Sequence, residues 1–233
     1  MNRLLITLLL LTNISCPTLL VAETATEADL PNVLIIGDSI SMAFTPYVVQ
    51  QLDGKAVVKH HKGNAQHTGT GLAKLDQWIG NTQWDVIHFN WGLWDLCYRH
   101  PESKVQGRRD KVNGTVTTSL EQYETNLDEL VSRLKRTDAK LIWANTTVVP
   151  KEEAGRIVGD DVKYNEVAAK IMKKNGILIN DLHSLTKQFS ADDFASPGNV
   201  HYTQDGYRKI GQQVTDHILK ALKDKQSNPG EKP

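Results

Sequence analysis

The chain has 233 residues, in which 27 lysines and arginines are balanced by 27 aspartates and glutamates. This length suits one well-buried domain and leaves little chain for a second. The balanced charge argues against a nucleic-acid-binding surface and against a basic patch for a membrane. A charged fraction of 23% with an apolar fraction of 39% indicates a globular protein.

The N-terminus has the pattern of an export signal. Asn2 and Arg3 precede an apolar run over residues 4–11 that is too short to span a bilayer. We expect a signal peptide over 1–22, a polar linker over 23–30, and a periplasmic or secreted protein with no stable membrane insertion after the signal is removed.

The two cysteines bear on the expected export and on the chance of a disulfide. Cys16 offers an alternative as a lipoprotein cysteine, although Asn13 stands where a lipidation motif has leucine. If cleavage follows Ala22, only Cys97 remains and no internal disulfide can form. We interpret Cys97 as a small packed hydrophobic residue.

Apolar segments alternate with helical patterns through the rest of the chain. Alternation of this kind predicts a doubly wound, mainly parallel sheet with helices on both faces. The clearest helix follows a capping signal at Ser119 and Gln122. The final helix is predicted over 203–222 and a loose tail over 223–233. The five strands are predicted near residues 32–36, 56–58, 85–90, 139–145 and 176–181.

The first strand ends at a candidate nucleophile. Its apolar run stops at Gly37-Asp38-Ser39, and a helical pattern begins at about Ile40 or Ser41. Ser39 should therefore lie at a helix N-terminus at the carboxyl end of a strand, where open α/β sheets place their chemistry. A serine there needs a base, and its own backbone N–H can stabilise an oxyanion. The alternative is that Asp38 and Ser39 only cap the helix.

A candidate base lies near the other end of the chain. His201 stands in Asn199-Val200-His201-Tyr202-Thr203, directly before the final helix. A loop at the carboxyl edge of the same sheet would allow this histidine to reach Ser39. The alternative is a loop histidine without a catalytic role.

Together these features resemble the SGNH (GDSL-type) hydrolase superfamily over residues 31–222. The shared features are Gly37-Asp38-Ser39 after the first strand, a glycine turn after the second, a Gly-x-x-Asp block after the third, and the late His201. The resemblance implies a flavodoxin-like three-layer α/β/α sandwich with five strands. It also implies an esterase or deacylase in which Ser39 is the nucleophile and His201 the base.

The resemblance also implies an oxyanion hole. Gly63 matches the glycine that supplies a second backbone N–H beside that of Ser39. Gly92 and Asp95 match the Gly-x-Asn-Asp block, but Trp94 replaces the asparagine that supplies the third donor. An indole N–H can donate one hydrogen bond, and Asn90 is the other candidate. Alternatively, Trp94 only forms a wall of the pocket.

The family's usual Asp-x-x-His block is also changed, because Gly198 stands where the aspartate orients the histidine. Three substitutes remain open: a backbone carbonyl near Gly198, which we favour, the side chain of Asn199, or an acid from elsewhere. The acids considered are Asp181, Asp193 and Asp205.

The segment over 98–118 is long, charged and without a clear pattern. It is either a solvated excursion or part of a binding site for an acidic, sulfated or uronate-bearing substrate. The cations that would bind such a substrate are Arg99, Lys104, Arg108, Arg109 and Lys111.

No cofactor and no metal are expected. His60, His61 and His67 share one loop, but no carboxylate or cysteine stands at a recognised ligand spacing from them. Gly37 to Met42 also lacks the Gly-x-Gly-x-x-Gly pattern of dinucleotide-binding domains.

These observations predict a secreted serine esterase acting on short-chain esters. The resemblance to the family's carbohydrate O-deacetylases implies acetyl groups on a carbohydrate as the leading substrate. The alternatives are a lipid or thioester acyl hydrolase and a carbohydrate-binding relative with weakened catalysis. Acetyl and long-chain aryl esters would separate the first two. A small-molecule or glycan ester is the expected partner, and the oligomeric state is left open.

Overall fold

A computed structural model describes residues 30–227. The expected signal peptide with Cys16 and Ala22, the linker over 23–29 and the last residues, 228–233, lie outside the described residues. The elements are β1 (Asn32–Ile36), α1 (Ser39–Gln51), β2 (Val57–His60), α2 (Thr68–Ile79), β3 (Val86–Phe89), β4 (Tyr98–Arg99), β5 (Thr115–Val116), α3 (Leu120–Leu134), β6 (Lys140–Ala144), α4 (Asp160–Lys174), β7 (Leu178–Asn180), α5 (Leu182–Thr186) and α6 (Gln204–Ser227).

Five strands form a parallel sheet in the order β2-β1-β3-β6-β7. One helical layer contains α1, α5 and α6, and the other contains α2, α3 and α4, each packed against its neighbours in the layer. The predicted three-layer α/β/α architecture is confirmed. Strands β1 and β3 lie inside the sheet, and their mainly apolar residues are buried because helices cover both faces.

Three features differ from the sequence-based expectation or were not anticipated. The helix α6 continues to Ser227, so residues 223–227 of the expected tail are helical. The segment over 98–118 contains an antiparallel pair of two-residue strands, β4 and β5. The short helix α5 also carried no predicted signal, since it has only five residues.

The helices α1 and α6 pack closely on one face of the sheet. A Cβ atom at Gly211 of α6 would lie 2.9 Å from the Cβ of Tyr47 in α1. Only glycine permits this approach without a shift of the helices. The pair matters because α1 begins at Ser39 and α6 begins shortly after His201.

Among residues 30–227, no helix has both the length and the apolar character required to cross a bilayer.

Candidate active site

Ser39 is the first residue of α1 and follows the turn at the carboxyl end of β1. Asp38 is the N-cap, and its Oδ1 accepts the backbone N–H of Ile40 at 3.0 Å. The turn requires Gly37, because a Cβ there would lie 2.8 Å from the Ser41 Oγ. Capping therefore falls to Asp38, and the Ser39 hydroxyl remains available for another partner.

That partner is His201. The Ser39 Oγ lies 2.8 Å from the His201 Nε2, although the two residues are 162 positions apart in the chain. Ser39 begins α1, and His201 lies in the loop directly before α6. This distance is within the range expected between a nucleophile and its base.

Asn199 determines which nitrogen of His201 carries the proton. The backbone N–H of His201 donates to the Asn199 Oδ1 at 3.0 Å, so the atom at this position must be the oxygen. The His201 Nδ1 lies 2.9 Å from the same oxygen and must therefore donate. The Nε2 lone pair is left facing the Ser39 hydroxyl, which is the tautomer that a general base requires.

The charge state of His201 also suits this role. Burial lowers the pKa of His201, the negative charge of Asp38 opposes that effect, and the positive charges of Arg156 and Arg109 add to it. Burial raises the pKa of the Asp38 carboxyl, which is only 6% exposed. The imidazole is therefore neutral at neutral pH and can accept a proton.

An aspartate cannot occupy the position of Gly198. This glycine has a φ of +69°, and a Cβ there would lie 2.6 Å from the Glu152 carbonyl oxygen. The loop after β6 fills the space that the side chain would need. The contact to His201 Nδ1 is made by the Asn199 side chain, so the favoured expectation of a backbone carbonyl near Gly198 is corrected.

The three acids considered as substitutes have other partners. Asp193 pairs with the Lys209 Nζ at 2.6 Å and belongs to a capping box with Ser190. Asp181 caps α5. Asp205 pairs with Arg208. Within residues 30–227, no hydrogen bond joins any of these acids to His201.

Ser39 and His201 line a cleft of about 340 Å³. The other lining residues that bear on its chemistry are Asp38, Asn64, Trp94, Arg99, Arg109, Arg156 and Asn199. The cleft is bounded by the ends of β1 and β3, by the 98–118 segment and by the loop that precedes α4.

Of the expected oxyanion donors, the Ser39 backbone N–H lies at the open start of α1, and no acceptor for it is found in the described part of the chain. Trp94 lines the cleft. Gly63 is exposed with a φ of +89° and is not a lining residue. The Asn90 Nδ2 donates to the Ala144 carbonyl at 2.6 Å, and its side chain borders a separate small cavity.

Asn64 is a candidate donor that sequence reasoning missed. Its Oδ1 accepts the Gln66 backbone N–H at 2.8 Å, which fixes the orientation of the carboxamide. The Nδ2 is thereby left to donate, in a side chain that lines the cleft. The available signal was a carboxamide directly after the glycine turn at Gly63.

The histidine-rich loop supports the turn that presents Ser39. The His60 Nε2 lies 2.7 Å from the Ser41 Oγ, and its Nδ1 lies 2.7 Å from the His61 carbonyl oxygen. The His61 Nε2 contacts the Gly37 carbonyl oxygen at 2.9 Å. Burial lowers the pKa of His60 to about 4, so this ring is neutral. In the described part of the chain, no group of three or more His, Cys, Asp and Glu residues is arranged to hold a metal.

Comparisons with known proteins find similar solved structures but no matching sequence. No protein-family model matches the sequence, and a search of curated proteins finds no significant match. A lipase/acylhydrolase of Enterococcus faecalis matches with a TM-score of 0.64 at 15% identity, over 81% of this chain and 95% of that one.

Two acetylxylan esterases are similarly close. One, from Geobacillus stearothermophilus, has a TM-score of 0.61 at 16% identity, over 82% of this chain and 94% of that one. The other, AlAXEase, has a TM-score of 0.61 at 15% identity, over 80% of this chain and 99% of its own. The chain therefore has the three-layer α/β/α fold of these esterases and of the acylhydrolase, which is the fold that the resemblance in its sequence implied.

Proposed function

We propose that this protein is a serine esterase that removes short acyl groups, principally acetyl groups, from carbohydrates. The observation that carries the proposal is the 2.8 Å contact between the Ser39 Oγ and the unprotonated Nε2 of His201. The acetylxylan esterases among its structural neighbours support the choice of acyl group and alcohol. No cofactor takes part in this chemistry.

In the first half-reaction, the Ser39 Oγ attacks the ester carbonyl carbon while the His201 Nε2 takes the hydroxyl proton. The Ser39 backbone N–H and the Asn64 Nδ2 stabilise the oxyanion of the tetrahedral intermediate, and the Trp94 Nε1 is a further donor on the same cleft. The intermediate then expels the alcohol, which receives its proton from His201. An acyl-enzyme at Ser39 remains.

In the second half-reaction, water replaces the alcohol. His201 takes a proton from the water as its oxygen attacks the acyl carbon. Collapse of the second intermediate releases the acid and returns the proton to the Ser39 Oγ. Asn199 holds the imidazole in the required tautomer throughout, because its Oδ1 accepts the Nδ1 proton.

The lining of the cleft favours a short acyl group and a polar alcohol. Half of the lining residues carry charged or carboxamide side chains, and the larger apolar residues are Ile40, Leu93, Trp94 and Val200. A long acyl chain would bind well only in an extended apolar groove, where its surface is removed from water.

The second candidate function is a lipid or thioester acyl hydrolase. It is favoured by the likeness to the lipase/acylhydrolase.

The experiment is hydrolysis of 4-nitrophenyl acetate by the wild-type protein and by the Ser39→Ala variant. We expect the variant to lose at least about a thousandfold in kcat, because no hydroxyl remains to form the acyl-enzyme. The matched control is Ser132→Ala, which removes an exposed hydroxyl on α3. Circular dichroism should show the same fold in all three proteins.

Unchanged turnover in Ser39→Ala would refute the mechanism. A series of acyl chains on the same aryl alcohol separates the two candidates. A fall in kcat/KM from acetyl to longer acyl chains supports the deacetylase. A rise along the series supports the lipid or thioester hydrolase instead.

We also propose that residues 1–22 direct export and are removed after Ala22. The mass of the protein recovered from the periplasm or the medium tests this, since it gives the mature N-terminus directly. A protein retained in the cytoplasm with residues 1–22 intact would contradict the proposal.

A further inference from the structure

Three arginines from separate parts of the chain line the cleft that contains Ser39 and His201. Arg99 ends β4, Arg109 follows a short 3₁₀ turn over 106–108, and Arg156 lies in the connection between β6 and α4. Of the cations in the 98–118 segment, Lys104, Arg108 and Lys111 are not among the lining residues. The positive side of the cleft is therefore a specific set of three guanidinium groups.

Contacts with the protein hold each of the three guanidinium groups. The Arg99 Nε donates to the Thr117 Oγ1 at 3.1 Å and its Nη1 to the Gly107 carbonyl, and the group lies 4.6 Å above the Trp94 ring. The Arg156 Nε donates to the Leu93 carbonyl at 2.6 Å. Groups fixed in this way lose little side-chain entropy when they bind a ligand.

Arg109 and Arg156 share one carboxylate behind the cleft. The Glu153 Oε1 lies 2.6 Å from the Arg109 Nη1 and 2.9 Å from the Arg156 Nη1, and its side chain is fully buried. The Glu153 Oε2 accepts the Gly155 backbone N–H at 2.6 Å. One carboxylate therefore faces two guanidinium groups, and the pair keeps a net positive charge.

The remaining acid of the cleft does not remove this excess. Asp38 carries the only carboxyl group among the lining residues, and burial raises its pKa. Three arginines thus face at most two carboxylates. Burial lowers the pKa of Arg99, and the nearby positive charges of Arg156 and Arg109 act in the same direction.

Each guanidinium also has donors to spare. In the described part of the chain, Arg99, Arg109 and Arg156 each use Nε and Nη1 for hydrogen bonds to the protein, and no acceptor is found for their Nη2. Arg156 is only 4% exposed and still lines the cleft. Arginines arranged in this way suit carboxylate and sulfate oxygens.

We propose that the three arginines form a subsite for an oxyanion carried by the substrate, so that the preferred ester belongs to a saccharide bearing a carboxylate or sulfate group. That the ligand is an ester rests on the proposed esterase function, whereas the anion-binding site does not depend on that function. The oxyanion docks at the free Nη2 groups while the ester carbonyl lies at Ser39. Binding energy from this remote group positions the ester.

The test measures binding without catalysis. In the Ser39→Ala protein, calorimetric titration with glucuronate, glucose 6-sulfate and glucose should give dissociation constants at least tenfold lower for one or both anions than for glucose. Added NaCl at 0.5 M should reduce this preference. The two anions also distinguish a carboxylate ligand from a sulfate ligand.

Substitutions then locate the subsite. Arg99→Gln, Arg109→Gln and Arg156→Gln, each in the Ser39→Ala protein, should remove most of the preference for the anion. The matched control is Arg108→Gln, which removes an exposed arginine of the same segment that does not line the cleft. If Arg156→Gln or Arg109→Gln fails to fold, because Glu153 loses a partner, Arg99→Gln still decides the result, since Arg99 is not paired with Glu153.

Equal affinity for glucose and both anions would overturn the subsite, as would an anion preference that survives in Arg99→Gln and in each of the other two variants that folds. Hydrolysis of the neutral 4-nitrophenyl acetate by the wild-type protein reports on the esterase function separately. A protein that binds anions and hydrolyses no ester would refute the proposed function and leave the subsite standing.

Discussion

At the scale of single residues, the orientation of His201 depends on a neutral oxygen. The Asn199 Oδ1 fixes the tautomer of the ring, because it already accepts the His201 backbone N–H. A neutral acceptor stabilises the charged imidazolium less than a carboxylate does. In the proposed mechanism, His201 is therefore correctly oriented but a weaker base than in a Ser-His-Asp triad.

Substitution of Asn199 should separate these two effects. Asn199→Asp places a carboxylate beside the Nδ1 proton, which should raise the pKa of His201 and move the acid limb of the kcat/KM profile up by about one pH unit. Asn199→Ala removes the acceptor and should lower kcat by about 10- to 100-fold. The measurement is the pH dependence of aryl acetate hydrolysis.

The control for this pair is Gln188→Glu, an exposed carboxamide-to-carboxylate change beyond α5. It should leave the profile in place. A profile that does not move in Asn199→Asp would show that the Asn199 oxygen does not set the basicity of His201.

Asn64 leads to a second prediction for a single residue. Asn64→Ala removes the carboxamide donor but leaves the backbone, so kcat should fall by about 10²–10³ with little change in KM. Asn113→Ala, which removes an exposed carboxamide outside the cleft, is the control. Equal kcat values in the two variants would show that Asn64 is not an oxyanion donor and would leave Trp94 as the side-chain donor.

At the scale of elements, Asp95 joins the segment after β3 to the start of α2. Its Oδ1 accepts the Thr68 backbone N–H at 2.9 Å and the Thr68 hydroxyl at 2.6 Å. Its backbone carbonyl accepts the Thr118 N–H at 3.0 Å. The Asp95 Oδ2 is buried without a partner in the described part of the chain. Burial raises the pKa of Asp95 from 3.8 to about 6.

This raised pKa predicts a pH-dependent loss of stability. Between pH 4 and 6 the folded state binds more protons at Asp95 than the unfolded state does. The Asp95 carboxyl group therefore contributes fully to folding stability below its unfolded pKa, and this contribution is lost as the pH rises through about 6. Asp95→Asn removes this titration. From pH 4.5 to 7, the unfolding free energy of the variant relative to wild type should rise by about 2 kcal/mol.

Urea denaturation at the two pH values measures this difference. The matched control is Asp53→Asn, which changes an exposed carboxyl after α1. A difference between Asp95→Asn and wild type that stays constant with pH would contradict the assignment.

The predictability of individual elements followed the strength of their local signals. Ser119 caps α3 as expected, and its hydroxyl accepts the Gln122 backbone N–H at 3.2 Å. This cap was predictable because both partners lie in the same short segment of the sequence. The strands β4 and β5 were not predictable, because two residues carry no periodicity and their pairing depends on distant contacts. The same limit explains why Asn64 was not named. The sequence indicates a turn there but not which of its residues faces the cleft.

At the scale of the whole molecule, the parallel, doubly wound sheet was implied by apolar runs that alternate with helical patterns, and so was the meeting of Ser39 with His201 at one edge. The sequence left three kinds of partner open for the His201 Nδ1, and the Asn199 side chain was one of them. The choice depends on the folded chain, because the Glu152 backbone excludes a side chain at Gly198 and no local pattern connects these two residues. Arg156 was missed for the same reason, since only the folded chain places it beside Arg99 and Arg109.

The close contact between α1 and α6 at Gly211 has a consequence for how this protein could diversify. The two reactive residues are set by this helix pair, whereas the arginines come from loops beyond β3 and β6. Exchange of those loops would therefore alter which ester is accepted while the spacing between hydroxyl and imidazole stayed the same. The fold thus carries the Ser39–His201 pair and the arginines on different elements, and grafting of the loops is a direct way to change the substrate preference.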